Sequence, residues 1–174
     1  MIICAGESES FEFATPMGIG LIDTAINLTR TCIENPPESI LFVGSAGAYG
    51  THNIFDIVES NIASNIENSF FNANAYTPID NIVLSVQKVS RETIVNSSNY
   101  ITTDESLSEF YLSKGISLEN MEFYAVLKVA NAFNIPARGV FVVTNRCDRN
   151  AHKDFIKNHK KAMKTLTDYY IKEI

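Results

Sequence analysis

The apolar positions of the chain change spacing several times, and each change predicts a new element. Helical spacing begins near Met17, where Ile19, Leu21, Ile22, Ala25, Ile26 and Leu28 would form one stripe, and ENPPES at 34–39 ends it. Two further helices are predicted over 122–133 and 150–174. Unbroken or alternating apolar runs predict strands at 1–5, 40–44, 54–64, 81–89 and 139–144.

Strands that alternate with helices are typical of an α/β fold. The chain has 174 residues, of which 45% are hydrophobic, and it contains no internal repeat and no linker-like stretch. A chain of this length buries roughly 70% of the surface that it exposes when unfolded, which is enough for one core. We therefore expect a single domain over residues 1–174.

The charge balance argues against a nucleic-acid partner. The formal net charge is −6 and the pI is about 5.0, whereas affinity for phosphate backbones depends on lysine and arginine. The one basic cluster, residues 157–164, falls within the predicted final helix and reads as a solvated face.

The cysteines and the apolar runs indicate the compartment. Cys4, Cys32 and Cys147 are odd in number and have no zinc-like spacing, which predicts neither a disulfide framework nor a structural metal site. No apolar run reaches the length of about 18 residues that a membrane span needs. We expect a cytoplasmic protein without a membrane partner or a metal.

Two glycine-containing segments follow predicted strands. PMGIG (16–20) opens a helix, so Gly18 and Gly20 would let backbone N–H groups approach an anion. FVGSAGAYG (42–50) reads as a loop after the strand at 40–44, and it lacks the lysine of a P-loop. Neither segment matches the glycine-rich sequence motif of dinucleotide-binding proteins. A small anion, a sugar or merely a tight turn remain open for both.

Four segments follow one another along the chain: PMGIG, FVGSAGAYG, NMEFYA (120–125) and a strand that ends in VVTN (142–145). In this order they resemble the nucleoside phosphorylase and nucleosidase family, which cleaves the bond between a base and ribose. The resemblance runs from Pro16 to the last helix, and the chain is shorter than is usual in that family before Pro16. It implies one domain with a mixed twisted sheet flanked by helices.

The resemblance also implies roles for the sugar and base residues. Glu122 would accept hydrogen bonds from the ribose 2′ and 3′ hydroxyls, and Met121 would pack beneath the sugar. Tyr100 would place its ring against the purine. Without the resemblance, Glu122 would be an ordinary first-turn helix residue and Tyr100 an interfacial core residue.

The floor beneath the ribose is implied to hold phosphate or the attacking water. The residues that would form it lie in the two glycine-containing segments: Gly20, Gly44, Ser45, Ala46 and Gly47.

Two residues compete for the position that contacts purine N7, where the family usually carries an aspartate. A gap-free alignment places Asn145 there, while Asp148 requires an insertion of three residues. An amide both donates and accepts, so Asn145 suits N7 together with a 6-oxo group, but it cannot deliver a proton. Asn145 is the preferred catalytic and base-binding residue; Asp148 would instead favour 6-aminopurines.

The nucleophile stays open between phosphate and water. Phe42 stands where some phosphorylases carry arginine, and the AGESES loop (5–10) is acidic, which favours water. Glu9, or alternatively Glu7, lies near the glutamate with which nucleosidases activate water. An arginine from a neighbouring subunit, or one of the chain's own, would restore phosphate binding: Arg30, Arg91, Arg146 or Arg149.

The favoured function is cleavage of a purine nucleoside, with no cofactor and with inorganic phosphate left open as a co-substrate. The resemblance also implies a homo-oligomer, because the family closes its pocket with a neighbour's side chains. Two alternatives remain: a purine-binding protein that has lost catalysis, and an unrelated α/β domain whose glycines only make turns.

Overall fold

The computed structural model describes residues 1–73, 75–86 and 93–173, and in these it forms one nine-stranded sheet with helices packed against it. The strands are β1 (Ile2–Cys4), β2 (Thr15–Pro16), β3 (Ile40–Ala48), β4 (Ile57–Ser60), β5 (Ile62–Ser64), β6 (Ile82–Leu84), β7 (Ile94–Ser97), β8 (Ile116–Asn120) and β9 (Ala137–Arg146). The helices are α1 (Gly20–Glu34), α2 (Asn68–Phe71), α3 (Glu105–Ser113), α4 (Phe123–Ala132) and α5 (Ala151–Glu173). The predicted α/β class with a mixed sheet is confirmed.

Strand β3 is the centre of the sheet. It pairs in parallel with β9 over its whole length. Its other edge is divided, because β1 pairs in parallel with Leu41 and Phe42, while β8 pairs antiparallel with Gly47 and Ala48. Between these two contacts the edge of β3 is open around Ser45, so backbone groups there are available to side chains.

The segment GSAGA belongs to β3, so the loop predicted after residue 44 is wrong. The strand continues to Ala48, with a register shift against β9 between Ala46 and Gly47. Small side chains suit this position because neighbouring strands crowd it. A Cβ atom on Gly47 would lie 3.0 Å from Asn145 Nδ2 and 3.3 Å from Glu119 Cγ. The apolar run and the glycines are parts of one buried strand.

Alternate residues of β3 pack on opposite faces of the sheet, which explains its unbroken apolar run. Phe42 faces a cluster with Phe123 of α4 and Phe141 of β9, and α1 covers the same side. Leu41 and Val43 face Ala162 and Leu166 of α5 on the other side. Both faces of the central strands are therefore buried.

Helix α1 starts after PMGIG as predicted, but it buries only part of the predicted stripe: Leu28 is buried, and Leu21 and Ala25 pack partly buried against the core. Its buried residues are Gly20, Thr24, Leu28 and Cys32. The exposed fractions of Ile22, Ile26 and Ile33 are 65%, 52% and 68%. Only the side of α1 that contacts α4 is covered, so a row of isoleucines faces solvent.

The remaining predicted elements are observed with shifted ends. The run at 54–64 divides into β4 and β5, and the last two helices and the strand at 139–144 appear as α4, α5 and the longer β9. The prediction at 81–89 is met by β6, and its end lies outside the described residues, as does Arg91. No helix in the described residues has the length and apolar character needed to cross a membrane.

Candidate active site

A cavity of about 300 Å³ opens at the divided edge of β3. It lies where β1, β8 and β9 all end, so loops and helix starts from distant parts of the chain meet there. Its polar and apolar walls come from the loop after β1, the residue before α1, the middle of β3, residues 98–101, the ends of β8 and β9, and the starts of α4 and α5. The lining residues are Ala5, Gly6, Ser8, Glu9, Ile19, Ser45, Ala46, Gly47, Ser98, Tyr100, Ile101, Glu119, Asn120, Met121, Glu122, Asn145, Ala151, His152 and Phe155.

Glu9 occupies the open edge of β3. The backbone N–H of Ser45 donates to Glu9 Oε2 at 3.0 Å, and the Ser45 hydroxyl donates to Glu9 Oε1. The N–H of Ser45 is available because β1 and β8 pair on either side of it. Glu7 is exposed and does not line the cavity. Of the two predicted glutamates, Glu9 is therefore the one that faces the cavity.

Asn120 joins the same edge of β3 to the start of α4. Its Nδ2 donates to the Ser45 carbonyl at 3.1 Å, and its Oδ1 accepts from the N–H groups of Glu122 and Phe123 at 2.8 and 2.9 Å. These bonds satisfy N–H groups that a helix start leaves without partners. They also fix the position of Glu122 relative to Ser45.

The Glu122 carboxyl is buried, with an exposed fraction of 3%. The Gly20 N–H donates to its Oε1 at 2.8 Å across 102 residues of sequence. Burial raises the pKa of Glu122 to about 7, and the negative charge of Glu9 adds to this effect, whereas the Gly20 hydrogen bond opposes it. Each carboxylate oxygen accepts more than one hydrogen bond, so capacity for sugar hydroxyls remains.

We expect Glu122→Gln to change the pH dependence of stability. The folded protein holds the Glu122 proton more tightly than the unfolded chain does, because its pKa rises from 4.5 to about 7. This stabilisation is complete below about pH 4.5 and is lost as the pH rises through 7. Between about pH 4.5 and 7 the original protein should lose about 3 kcal/mol of this stabilisation, whereas Glu122→Gln has no such proton to lose. The difference in free energy of unfolding between the two proteins should therefore shift by about 3 kcal/mol in favour of the variant. Urea unfolding from pH 4.5 to 8 measures this, and parallel curves would contradict it.

Asn145 lies at the end of β9 and lines the cavity. Its Oδ1 accepts from the Thr144 hydroxyl at 2.9 Å, and its Nδ2 donates to the Arg146 carbonyl at 3.0 Å. One Nδ2 hydrogen and one Oδ1 lone pair remain beyond these two bonds. Asp148 does not line the cavity; its Oδ1 accepts from the Asn150 N–H at 2.6 Å, just before α5.

Tyr100 and Met121 both line the cavity, at different depths. Met121 is half-buried beside Glu122. Tyr100 stands at the mouth, where 83% of the residue is exposed. Tyr100 therefore has an open ring face, which a bound base or a second protein chain would cover.

The predicted floor is only partly in the cavity. Ser45, Ala46 and Gly47 line it, whereas Gly20 and Gly44 do not. Gly44 lies beneath Glu9, since a Cβ there would be 3.1 Å from Glu9 Oε2. Gly20 uses its N–H to hold Glu122 rather than to face the space beside Ser45.

Sequence reasoning did not single out several of the lining residues, among them Glu119, Asn120, His152 and Phe155. Glu119 and Asn120 directly precede Met121, and polar residues at the end of a buried strand were a usable signal. His152 and Phe155 lie in the first turns of α5, and no local pattern distinguishes them from other surface residues of that helix. In the described residues, no group of three or more histidine, cysteine or acidic side chains is arranged to hold a metal.

A family model described as the phosphorylase superfamily matches residues 74–173. This is more than half of the chain. The chain belongs to the phosphorylase superfamily. No curated protein matches the sequence.

Solved structures show the same superfamily fold. A variant of the Helicobacter pylori methylthioadenosine nucleosidase, with 5′-methylthioadenosine in its active site, superposes with a TM-score of 0.81 at 15% identity, covering 99% of this chain and 97% of that one. A mutant futalosine hydrolase of H. pylori gives a TM-score of 0.79 at 16% identity, covering 94% and 93%. The Streptococcus pneumoniae methylthioadenosine/S-adenosylhomocysteine nucleosidase in complex with 8-aminoadenine gives 0.72 at 13%, covering 95% of each chain.

Proposed function

We propose that this phosphorylase-superfamily protein hydrolyses the N-glycosidic bond of a purine nucleoside. The observation that carries the proposal is a single cavity lined by Glu9, Ser45, Tyr100, Glu122 and Asn145. Hydrolysis of a nucleoside brings three chemically different groups to the reacting bond, namely the base, the sugar and the nucleophile. The cavity offers an aromatic ring with an amide, a carboxylate, and a second carboxylate with a hydroxyl, which suit these parts in turn.

The sugar would be held by Glu122 and Met121. A carboxylate accepts hydrogen bonds from two vicinal hydroxyls, and charge-assisted bonds of this type are stronger than neutral ones. Glu122 is fixed from two sides, by the Gly20 N–H and by its own N–H on Asn120. The C1′ atom would thus be held at a defined place relative to Glu9, which is how orientation lowers a reaction barrier.

The base would be held by Tyr100 and Asn145, and a 6-oxopurine fits best. Asn145 keeps one donor and one acceptor site for the ligand after its bonds to Thr144 and Arg146. Its remaining N–H would donate to O6 of a 6-oxopurine, and its Oδ1 would accept from N7 once that nitrogen carries a proton. The amide then stabilises negative charge that develops on the departing base.

Water is favoured over phosphate as the nucleophile. Glu9 already accepts both the Ser45 N–H and the Ser45 hydroxyl, which are the donors that an oxyanion would need. None of the described residues that line the cavity is a lysine or an arginine, so a phosphate dianion would meet a carboxylate without a compensating charge. A water bound beside Glu9 and Ser45 would instead give its proton to Glu9.

A homo-oligomer is part of this proposal. Tyr100 and Ile101 are 83% and 52% exposed at the cavity mouth, and Ile19 is 42% exposed beside them. The isoleucine row of α1 continues from Ile19 along the surface. A second copy seated there would close the mouth and cover apolar side chains that now face solvent.

The proposal predicts cleavage that does not depend on phosphate. Purified protein incubated with inosine, and in parallel with adenosine, should release free base and free ribose at the same rate with and without inorganic phosphate. Chromatography of the base and a reducing-sugar assay measure the products. Inosine should be cleaved with the higher kcat/KM.

Other products would each exclude a part of the proposal. Ribose 1-phosphate formed only in the presence of phosphate would exclude hydrolysis. Purine binding without turnover of any nucleoside, measured by calorimetry, would support a binding protein of the same fold. A protein that neither binds purines nor cleaves nucleosides would exclude both.

A further inference from the structure

The proposed hydrolysis leaves one chemical task without a residue. When the bond between C1′ and N9 breaks, the electron pair stays on the purine, and protonation of the base makes this departure easier. Asn145 cannot supply that proton, because an amide is not an acid in the relevant pH range. A proton donor must therefore be sought elsewhere in the cavity.

Glu119 is a buried carboxyl group in the cavity wall that none of the roles above uses. It lies on β8, with an exposed fraction of 9%. Gly47 of β3 pairs with Glu119 on one side and with Asn145 on the other. A Cβ on Gly47 would contact the side chains of both residues. Glu119 and Asn145 thus converge above Gly47, a position of β3 that has no side chain.

The groups around Glu119 are themselves uncharged, and two of them donate hydrogen bonds to its carboxyl group. Tyr49 at the end of β3 donates its hydroxyl to Oε2 at 2.8 Å, and the Thr102 N–H donates to Oε1 at 3.0 Å. Cys147 after β9 and Tyr111 of α3 also face this cluster, and burial raises the pKa of Tyr49, Cys147 and Tyr111. All three are uncharged at neutral pH.

No positive charge offsets the burial of Glu119. Within the described ranges, no lysine, arginine or histidine forms an ion pair with it, and His152 is the one basic residue in the cavity wall. Burial raises the pKa of Glu119, and its hydrogen bonds with Thr102, Tyr49 and Cys147 oppose this effect in part. A protonated carboxyl group keeps acceptor sites for these donors while its O–H can face the cavity.

We infer that Glu119 is the general acid that protonates the departing purine. As the glycosidic bond breaks, the proton moves from the Glu119 carboxyl to a ring nitrogen of the base, which leaves neutral, and Glu119 becomes a carboxylate. Water forms the new bond to C1′ and transfers its proton to Glu9. Glu9 then releases this proton to solvent and Glu119 takes one up, so water and nucleoside give ribose and free base. This inference rests on the proposed function.

The test compares inosine with 7-methylinosine, whose base leaves without needing a proton. Glu119→Gln keeps acceptor and donor capacity at similar volume but has no acidic proton. We expect it to lower kcat for inosine at least about tenfold, since general acids contribute more than this, and to change kcat for 7-methylinosine by less than twofold.

Each other outcome overturns the inference. An equal loss with both substrates would mean that Glu119 only supports the fold through Tyr49 and Thr102. An unchanged kcat for inosine would mean that no proton comes from Glu119. If the original protein cleaves neither substrate, the proposed function itself fails, and this result is separable because it precedes any substitution.

A second variant tests the role of Glu119 as the general acid while keeping Glu119 itself, and it serves if Glu119→Gln does not fold. Tyr49→Phe removes a hydrogen bond that lowers the pKa of Glu119. In the original protein kcat for inosine should fall as the pH rises through the pKa of this acid, and in Tyr49→Phe the fall should move to higher pH. An unmoved limb would overturn the inference.

Discussion

Glu9→Gln should lower kcat for nucleoside cleavage by about 10²- to 10⁴-fold, the range that a positioned general base contributes. The amide keeps the size of the side chain and can still accept a hydrogen bond from Ser45, so the loop after β1 should stay in place. What it loses is the ability to take a proton from water. Steady-state rates with saturating nucleoside measure the effect, and KM should change little because the proposal assigns Glu9 to the nucleophile and not to the base or the sugar.

Glu7→Gln is the matched control for this prediction. Glu7 lies in the same acidic loop, two residues earlier, and is exposed outside the cavity. The Glu7→Gln substitution removes the same charge from the loop but keeps the Glu9 carboxylate at Ser45. The kcat of this variant should therefore stay within about twofold of that of the original protein. Equal losses in the two variants would show that the charge of the loop, and not a base at Glu9, is responsible.

Glu122→Ala should lower kcat/KM by at least about 100-fold. Two hydrogen bonds from sugar hydroxyls to a charged acceptor are each worth about 1.5–3 kcal/mol, and both are lost. The original protein should also lose kcat/KM as the pH falls below about 7, because burial raises the pKa of Glu122 to about 7 and the neutral carboxyl accepts hydroxyl donors less well.

A substrate change provides the control for Glu122. The 2′,3′-dideoxy analogue of the nucleoside lacks both hydroxyls, so the original protein and Glu122→Ala should cleave it with similar kcat/KM. A large difference on this analogue would mean that Glu122 acts through the fold or through Glu9 instead of the sugar. Equal kcat/KM of the two proteins on the full nucleoside would refute the role itself.

Several elements could be predicted because their signals are local. The break at ENPPES, the helical spacing of 122–133 and the apolar run before VVTN each depend on neighbouring residues. The α1 stripe failed for a different reason, since α1 has more isoleucines than the one helix beside it can cover. Which isoleucines are buried depends on where α4 packs, and the local spacing of apolar residues does not predict this.

The GSAGA segment shows the same limit for a strand. Glycine, serine and alanine normally indicate a turn after an apolar run. Here they remain in β3 because β9 pairs with the whole segment and β8 pairs with Gly47 and Ala48, and these partners are remote in sequence. Small residues are needed where Asn145 and Glu119 crowd the strand. Glycine, serine and alanine therefore allow close packing here and do not form a turn.

By itself, the sequence determined the α/β class, the family resemblance, and the positions of Glu122 and Asn145 through the order and spacing of four segments. Only the tertiary structure decided that Glu9 and not Glu7 meets Ser45, that Gly20 holds Glu122, and that Glu119 stands beside Asn145. The physical reason is that each of these contacts joins residues far apart in sequence, which strand pairing and helix packing bring together. The pairing partners and the register of a strand depend on the whole fold, whereas the spacing of residues within one segment can be read directly from the sequence.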